Sequence, residues 1–151
     1  AQMGDEDTPI SKEDLERELA FGLEDPTALT ANQRAFTIMV RNLMWRLVEL
    51  FAWEKEDRLA DLLDYLERDE KPDWGAELDA YFDEYADLDI GADARGGDYF
   101  SLTRDGREWT ARQIIKDPEG DNSFQLVAVV DLDASDAEGE VRLKNLEMIR
   151  S

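Results

Sequence analysis

Residues 98–150 read as four short strands parted by turn residues, whereas residues 30–90 read as amphipathic helix, so two periodicities are segregated along the chain. Helices on one side of a sequence and strands on the other predict an α+β domain, with a helical layer covering one face of an antiparallel sheet. At 151 residues, 42% of them hydrophobic, the chain suits one core that withdraws roughly 70% of the unfolded surface from water. The expected division is an arm or linker over residues 1–29 and a single α+β domain over residues 30–151, with helices in 30–90 and the sheet in 98–150.

The arm opens Ala1-Gln2 without an initiator methionine, as a piece of a longer protein or a processed chain would, and Asp5, Glu6 and Asp7 beside Gly4 and Pro9 lack apolar periodicity. Ser11 with Asp14 three residues on makes a capping box, and Ile10 and Leu15 make a hydrophobic staple, so a short helix is expected as far as Phe21. Thr30-Ala31-Asn32-Gln33 repeats the capping signature with Thr30 as the cap. It opens the most periodic segment. Phe36, Met39, Val40, Leu43, Met44, Leu47, Val48, Leu50 and Phe51 recur every three or four residues and define one broad apolar face. Arg34 and Arg41 share its polar flank. A turn at Trp53-Glu54 leads to a second helix with Leu59, Leu62, Leu63 and Leu66 as its stripe. Pro72 ends the charged connector that follows, and Asp73 is the expected cap of a third helix carrying Trp74, Leu78, Tyr81, Phe82, Tyr85 and Leu88. Gly91, Gly96 and Gly97 release the chain into the sheet.

Asp105-Gly106 between residues 99–104 and 107–116 is the signature of a type I′ hairpin turn. In residues 123–131 both alternating sets are largely apolar, Phe124, Leu126, Ala128 and Val130 against Gln125, Val127 and Val129, which predicts a central strand. Residues 133–140 read as a loop. Beyond it Val141 and Leu143 are out of phase with Leu146 and Met148, so a β-bulge near Lys144-Asn145 is expected, bending a curved four-stranded meander.

The charge is strongly acidic and uneven. Of the net −21, residues 1–97 carry −16 and residues 98–151 carry −5. Such a surface repels a phosphate backbone over a Debye length of about 8–10 Å, so direct nucleic-acid binding is not expected; a basic partner or plain solubility suits it better. No apolar run approaches the roughly 20 residues that cross a bilayer, so the expectation is a cytoplasmic chain without a membrane segment. With no cysteine and no histidine, thiol nucleophiles, disulfides and imidazole bases are excluded. A layer of helices wrapped by a bent sheet leaves room for a pocket, and the polar groups expected near its inner surfaces are Tyr81, Asp83, Tyr85, Asp87, Arg112 and Asp131. Each has a plainer role as a core-edge tyrosine or surface ion. Asp131 and Asp133 imitate the start of a calcium loop, but Asp136 stands where its glycine belongs and Arg142 where its closing glutamate does, and Asp117, Glu119 and Asp121 fail alike. No metal is therefore expected. No glycine-rich phosphate loop, Asp-Glu-Ala-Asp box or nucleophile elbow is present.

Residues 41–50 (RNLMWRLVEL), 81–85 (YFDEY), 92–95 (ADAR) and 109–121 (WTARQIIKDPEGD) resemble, in that order, the uncharacterised carboxy-terminal domain of bacterial superfamily II DEAD/DEAH-box RNA helicases. Residues 130–136 (VDLDASD) are similar to its closing strand and loop, and the resemblance runs from about Thr30 to the end of the chain. It implies a non-catalytic accessory domain that docks on the helicase core in cis, on a partner protein, or on a second copy through the sheet. ATP and magnesium would then belong to the parent helicase alone, with no cofactor in this segment. The order of elements is also similar to the nuclear-transport-factor-2-like, or cystatin-like, cone. That analogy implies the alternative: a small-molecule binder or lyase/isomerase-like enzyme with a carboxylate in its pocket.

Overall fold

The computed structural model describes residues 28–150, and the expected helix of the Ser11 box lies outside them. After a single turn of 3₁₀ helix at Leu29–Ala31, helix α1 runs from Gln33–Ala52. Its cap is Asn32, whose Oδ1 accepts from the Ala35 N–H at 3.0 Å, rather than the expected Thr30. Both types cap helices well, but Asn32 stands next to the first helical residue, and the Thr30 N–H and hydroxyl instead donate to the Asp136 carboxylate, each at 2.8 Å. Along α1, Phe36, Val40, Met44, Leu47, Val48, Leu50 and Phe51 are buried, as the periodicity predicts, while Met39 and Leu43 sit at the margin of the core. Trp45, which the apolar stripe left out, is buried too.

Helix α2 spans Glu56–Leu62 and is shorter than its apolar stripe, with Leu63 as its C-cap; Leu59, Leu63 and Leu66 are buried while Leu62 is exposed. Glu67 and Glu70 close a 3₁₀ turn at Arg68–Glu70 by reciprocal side-chain bonds. Helix α3 spans Trp74–Glu84, capped by Asp73 as expected, its Oδ1 taking the Ala76 N–H at 3.2 Å. It stops before the glycines. Tyr85 is already extended, and Tyr85 and Leu88 reach the core from a non-helical segment whose Asp89 N–H bonds the Lys116 carbonyl at 3.0 Å. That segment lies against the end of the sheet, where a continued helix would not offer its backbone.

Strands β1 (Phe100–Asp105), β2 (Glu108–Ile114), β3 (Phe124–Asp131) and β4 (Leu143–Arg150) form one antiparallel sheet in the order β1-β2-β3-β4. This is the four-stranded meander of an α+β fold. The first hairpin differs from the expected type I′ turn: Asp105 pairs with Glu108, so Gly106 and Arg107 are the central residues and only Gly106, at φ +58°, is left-handed. The bulge is where the phase break put it. Val129 pairs with Asn145 and Val130 with Leu143, leaving Lys144 as the extra residue. Strand β3 is interior, paired on both edges, as its two apolar sets predict.

Residues 133–140 are not simply a loop: helix α4 covers Leu132–Glu138. Asp131 caps it through the Ala134 N–H at 3.0 Å, the Ser135 hydroxyl donates to the Asp131 carbonyl at 2.7 Å, and Gly139 at φ +75° ends it. Seven residues with one apolar anchor, the buried Leu132, are too short for a periodic signal. The core lies between the inner sheet face and α1 and α3. Phe36 meets Trp109 edge to face at 5.3 Å between ring centroids, and Tyr81 meets Phe124 likewise at 5.2 Å. Fully burying each large apolar side chain here is worth about 1.5–3 kcal/mol.

Candidate functional site

Of the six polar residues expected near the inner surfaces, Tyr81 and Tyr85 come together. They lie one turn apart in sequence, their rings are 5.1 Å apart, and Phe124 of β3 touches both. Each hydroxyl is already committed. Tyr81 donates to the Asp87 carbonyl at 2.7 Å; Tyr85 donates to Asp121 Oδ2 at 2.7 Å and lies 2.9 Å from the Ser123 hydroxyl. Burial, reinforced by the charge on Asp117, raises the Tyr81 phenol well above its ordinary value. For Tyr85 the Ser123 hydrogen bond pulls downward, but burial, the bond to Asp121 and the nearby carboxylates outweigh it and push the phenol up to about 12. Both are therefore neutral donors at physiological pH. Beneath them the Asp117 carboxylate, 3% exposed, accepts from the backbone N–H groups of Glu119 and Asp121 at 3.0 Å and Asn122 at 2.8 Å. It shapes the loop that delivers Asp121 and Ser123, in which Gly120 and Asn122 have positive φ.

The other four lie elsewhere and apart. Asp83 is exposed on α3 and lines an open groove of about 500 Å³ together with Glu54, Leu78, Asp79, Ala80 and Phe82. Arg112 is exposed on the sheet face opposite the helices, because Trp109, Ala111 and Gln113 take the alternate, buried positions of β2, and it donates to Gln125 Oε1 at 2.7 Å. Asp131 is the cap of α4. Asp87, whose carbonyl serves Tyr81, is exposed, and its carboxylate takes the Leu88 N–H at 2.8 Å. The space between the layers is filled by the rings of Phe36, Phe51, Tyr81, Tyr85, Trp109 and Phe124, each at most 2% exposed. Buried Gln113 looks inward, its amide donating to the Tyr99 carbonyl at 3.1 Å.

A polar cluster absent from the candidate set ties the two halves of the chain together. Arg107, at the β1–β2 turn, donates to Asp136 Oδ2 at 2.6 Å, Asp133 Oδ1 at 2.8 Å and the Thr30 hydroxyl at 3.2 Å. Burial alone would raise the Asp136 carboxyl, but the Thr30 N–H, the Arg107 guanidinium and the Thr30 hydroxyl together hold it below its ordinary value. Arg107 is raised in turn by Asp133 and Asp136. The acids that imitate a calcium loop are thus spent on a helix cap and a guanidinium. With partners 29, 77 and 106 residues apart, no local signal in the sequence marks this cluster.

No curated protein and no solved structure matches the chain. One family model does, over residues 1–148, so its match takes in the amino-terminal segment that the earlier resemblance left out. The aromatic-filled α+β fold described above is accordingly that of a member of the family described as Domain of unknown function (DUF3516), to which the chain belongs.

Proposed function

We propose that this domain is a non-catalytic accessory part of an ATP-dependent RNA helicase, working by contact with the helicase core in cis. The observation that carries the reading is the use of its polar groups: Tyr81, Tyr85, Asp117 and Asp131 are engaged in hydrogen bonds that shape the fold, and the interior is packed with rings. The ordered resemblance over residues 30–151 supports the helicase link, and helices followed by a four-stranded meander support a nuclear-transport-factor-2-like cone. ATP and magnesium serve the parent's motor, and its place is the cytoplasm. A net −21 favours a protein partner over direct contact with RNA. The alternative, a cone-fold binder or isomerase, needs a carboxylate on a pocket floor, whereas Asp83 is exposed and Asp131 caps a helix.

The test is to compare RNA-stimulated ATPase and unwinding rates of the parent protein with and without this segment. Lower rates, or loss of a bound partner, are expected on removal. Identical rates and identical partners would refute the reading.

A further inference from the structure

A notch lies between α1 and the β1 edge of the sheet, lined by Ile38, Arg41, Asn42, Trp45, Arg95 and Gln113, with a volume of about 170 Å³. Its lining carries two guanidinium groups and no carboxylate, in a chain with 38 acidic residues. Among the described residues neither guanidinium has a carboxylate within 4.0 Å, although Asp93 and Asp98 are in the same loop. Both are nevertheless held in place. Arg41 donates to the Arg95 carbonyl at 3.3 Å with its guanidinium carbon 5.1 Å from the Phe100 ring centroid. Arg95 donates to Asn42 Oδ1 at 2.8 Å and lies 5.9 Å from the Trp45 ring centroid. These contacts leave most of the five donors of each fork unused. Gln113, 2% exposed, spends its amide nitrogen on the Tyr99 and Ile114 carbonyls. Ile38, 53% exposed, supplies an apolar rim.

We propose that this notch receives the carboxylate of one glutamate side chain of the helicase core, held between the Arg41 and Arg95 guanidinium groups. Guanidinium forks match carboxylates bidentately. At about 170 Å³ the notch has room for one carboxylate side chain. A polyanion would meet the acids of the surrounding surface within a Debye length of about 8 Å; one inserted carboxylate meets the two arginines first. The assignment deepens the protein-contact reading and rests on it.

The probes are N-acetylglutamate α-amide, its glutamine counterpart and inorganic phosphate, each titrated into the 151-residue chain at low salt. Shifts of the Trp45 indole and Arg95 Nε resonances are followed by NMR. The expected result is a saturating shift with the glutamate probe that is at least tenfold weaker with the glutamine probe and in Arg41→Gln/Arg95→Gln. That variant changes exposed residues, and unchanged circular dichroism checks its fold. Equal binding of phosphate and glutamate probes, displacement by a short RNA, or a response unaffected by the double substitution would each overturn the assignment. Failure here with the truncation effect on ATPase intact sinks the notch alone; an indifferent parent with probe binding intact sinks the accessory reading alone.

Discussion

The Phe36–Trp109 contact is where the helical half meets the sheet, so a double-mutant cycle there measures the joint of the fold. Both side chains are essentially buried, 0% and 1% exposed, and their rings meet edge to face at 5.3 Å. Trp109→Leu should cost about 3 kcal/mol, the low end of the Trp-to-Ala range because Leu retains part of the apolar volume. Phe36→Leu should cost about 1–1.5 kcal/mol. The double variant should be less destabilised than the sum by about 0.5–1.5 kcal/mol, the ring–ring term each single substitution already removes. Arg104, whose guanidinium lies 5.0 Å from the Trp109 centroid, drops out, because that contact is lost equally with and without Phe36. Urea unfolding followed by circular dichroism at 222 nm reads all four proteins. Costs that add to within about 0.3 kcal/mol would mean the rings do not touch, and the packing of α1 on β2 would be refuted.

Further perturbations discriminate other parts of the account. Leu47→Lys, at a fully buried position on α1, should abolish cooperative unfolding, whereas Leu43→Lys, at the core margin, should leave a folded but weakened protein; equal damage would contradict the helix orientation. Gly106→Ala should cost about 1 kcal/mol in the same urea assay because φ is +58°, although nothing lies within 4 Å of an added Cβ; no cost would mean a different turn. Asp136 has a folded-state pKa below its ordinary value, so its contribution is fully present above about pH 4–5, near the unfolded value of about 3.9, and is lost as pH falls through the lowered folded one. Stability measured between pH 6 and pH 3 should therefore fall less steeply in Asp136→Asn than in the parent sequence, and parallel curves would refute the cluster.

The α+β division was legible because two periodicities never mix, and the bulge because Leu143 and Leu146 cannot share a face without an extra residue between them. Strand β3 announced its interior position by being apolar in both registers. What escaped depends on distant partners. Thr30 carries the capping-box signature, yet its N–H and hydroxyl are claimed by Asp136, 106 residues away, and Asn32 caps the helix instead. Tyr85 continues the stripe of α3, yet its ring and hydroxyl are claimed by Phe124, Asp121 and Ser123 across the layer. Helix α4 is too short to carry a period. The candidate residues were chosen by type, so only Tyr81 and Tyr85, four apart on one face, stayed together; Arg112 fell on the opposite side of the sheet by alternation within β2. Arg41 and Arg95, 54 residues apart, could be joined only by the fold.

An accessory domain that acts by contact should work when supplied separately. The decisive measurement is the RNA-stimulated ATPase rate of a parent helicase lacking this segment as the 151-residue chain is added back. A rate that climbs to a plateau with rising concentration is predicted. A rate that stays flat at every concentration, while the added chain by itself turns over a small molecule, would contradict it.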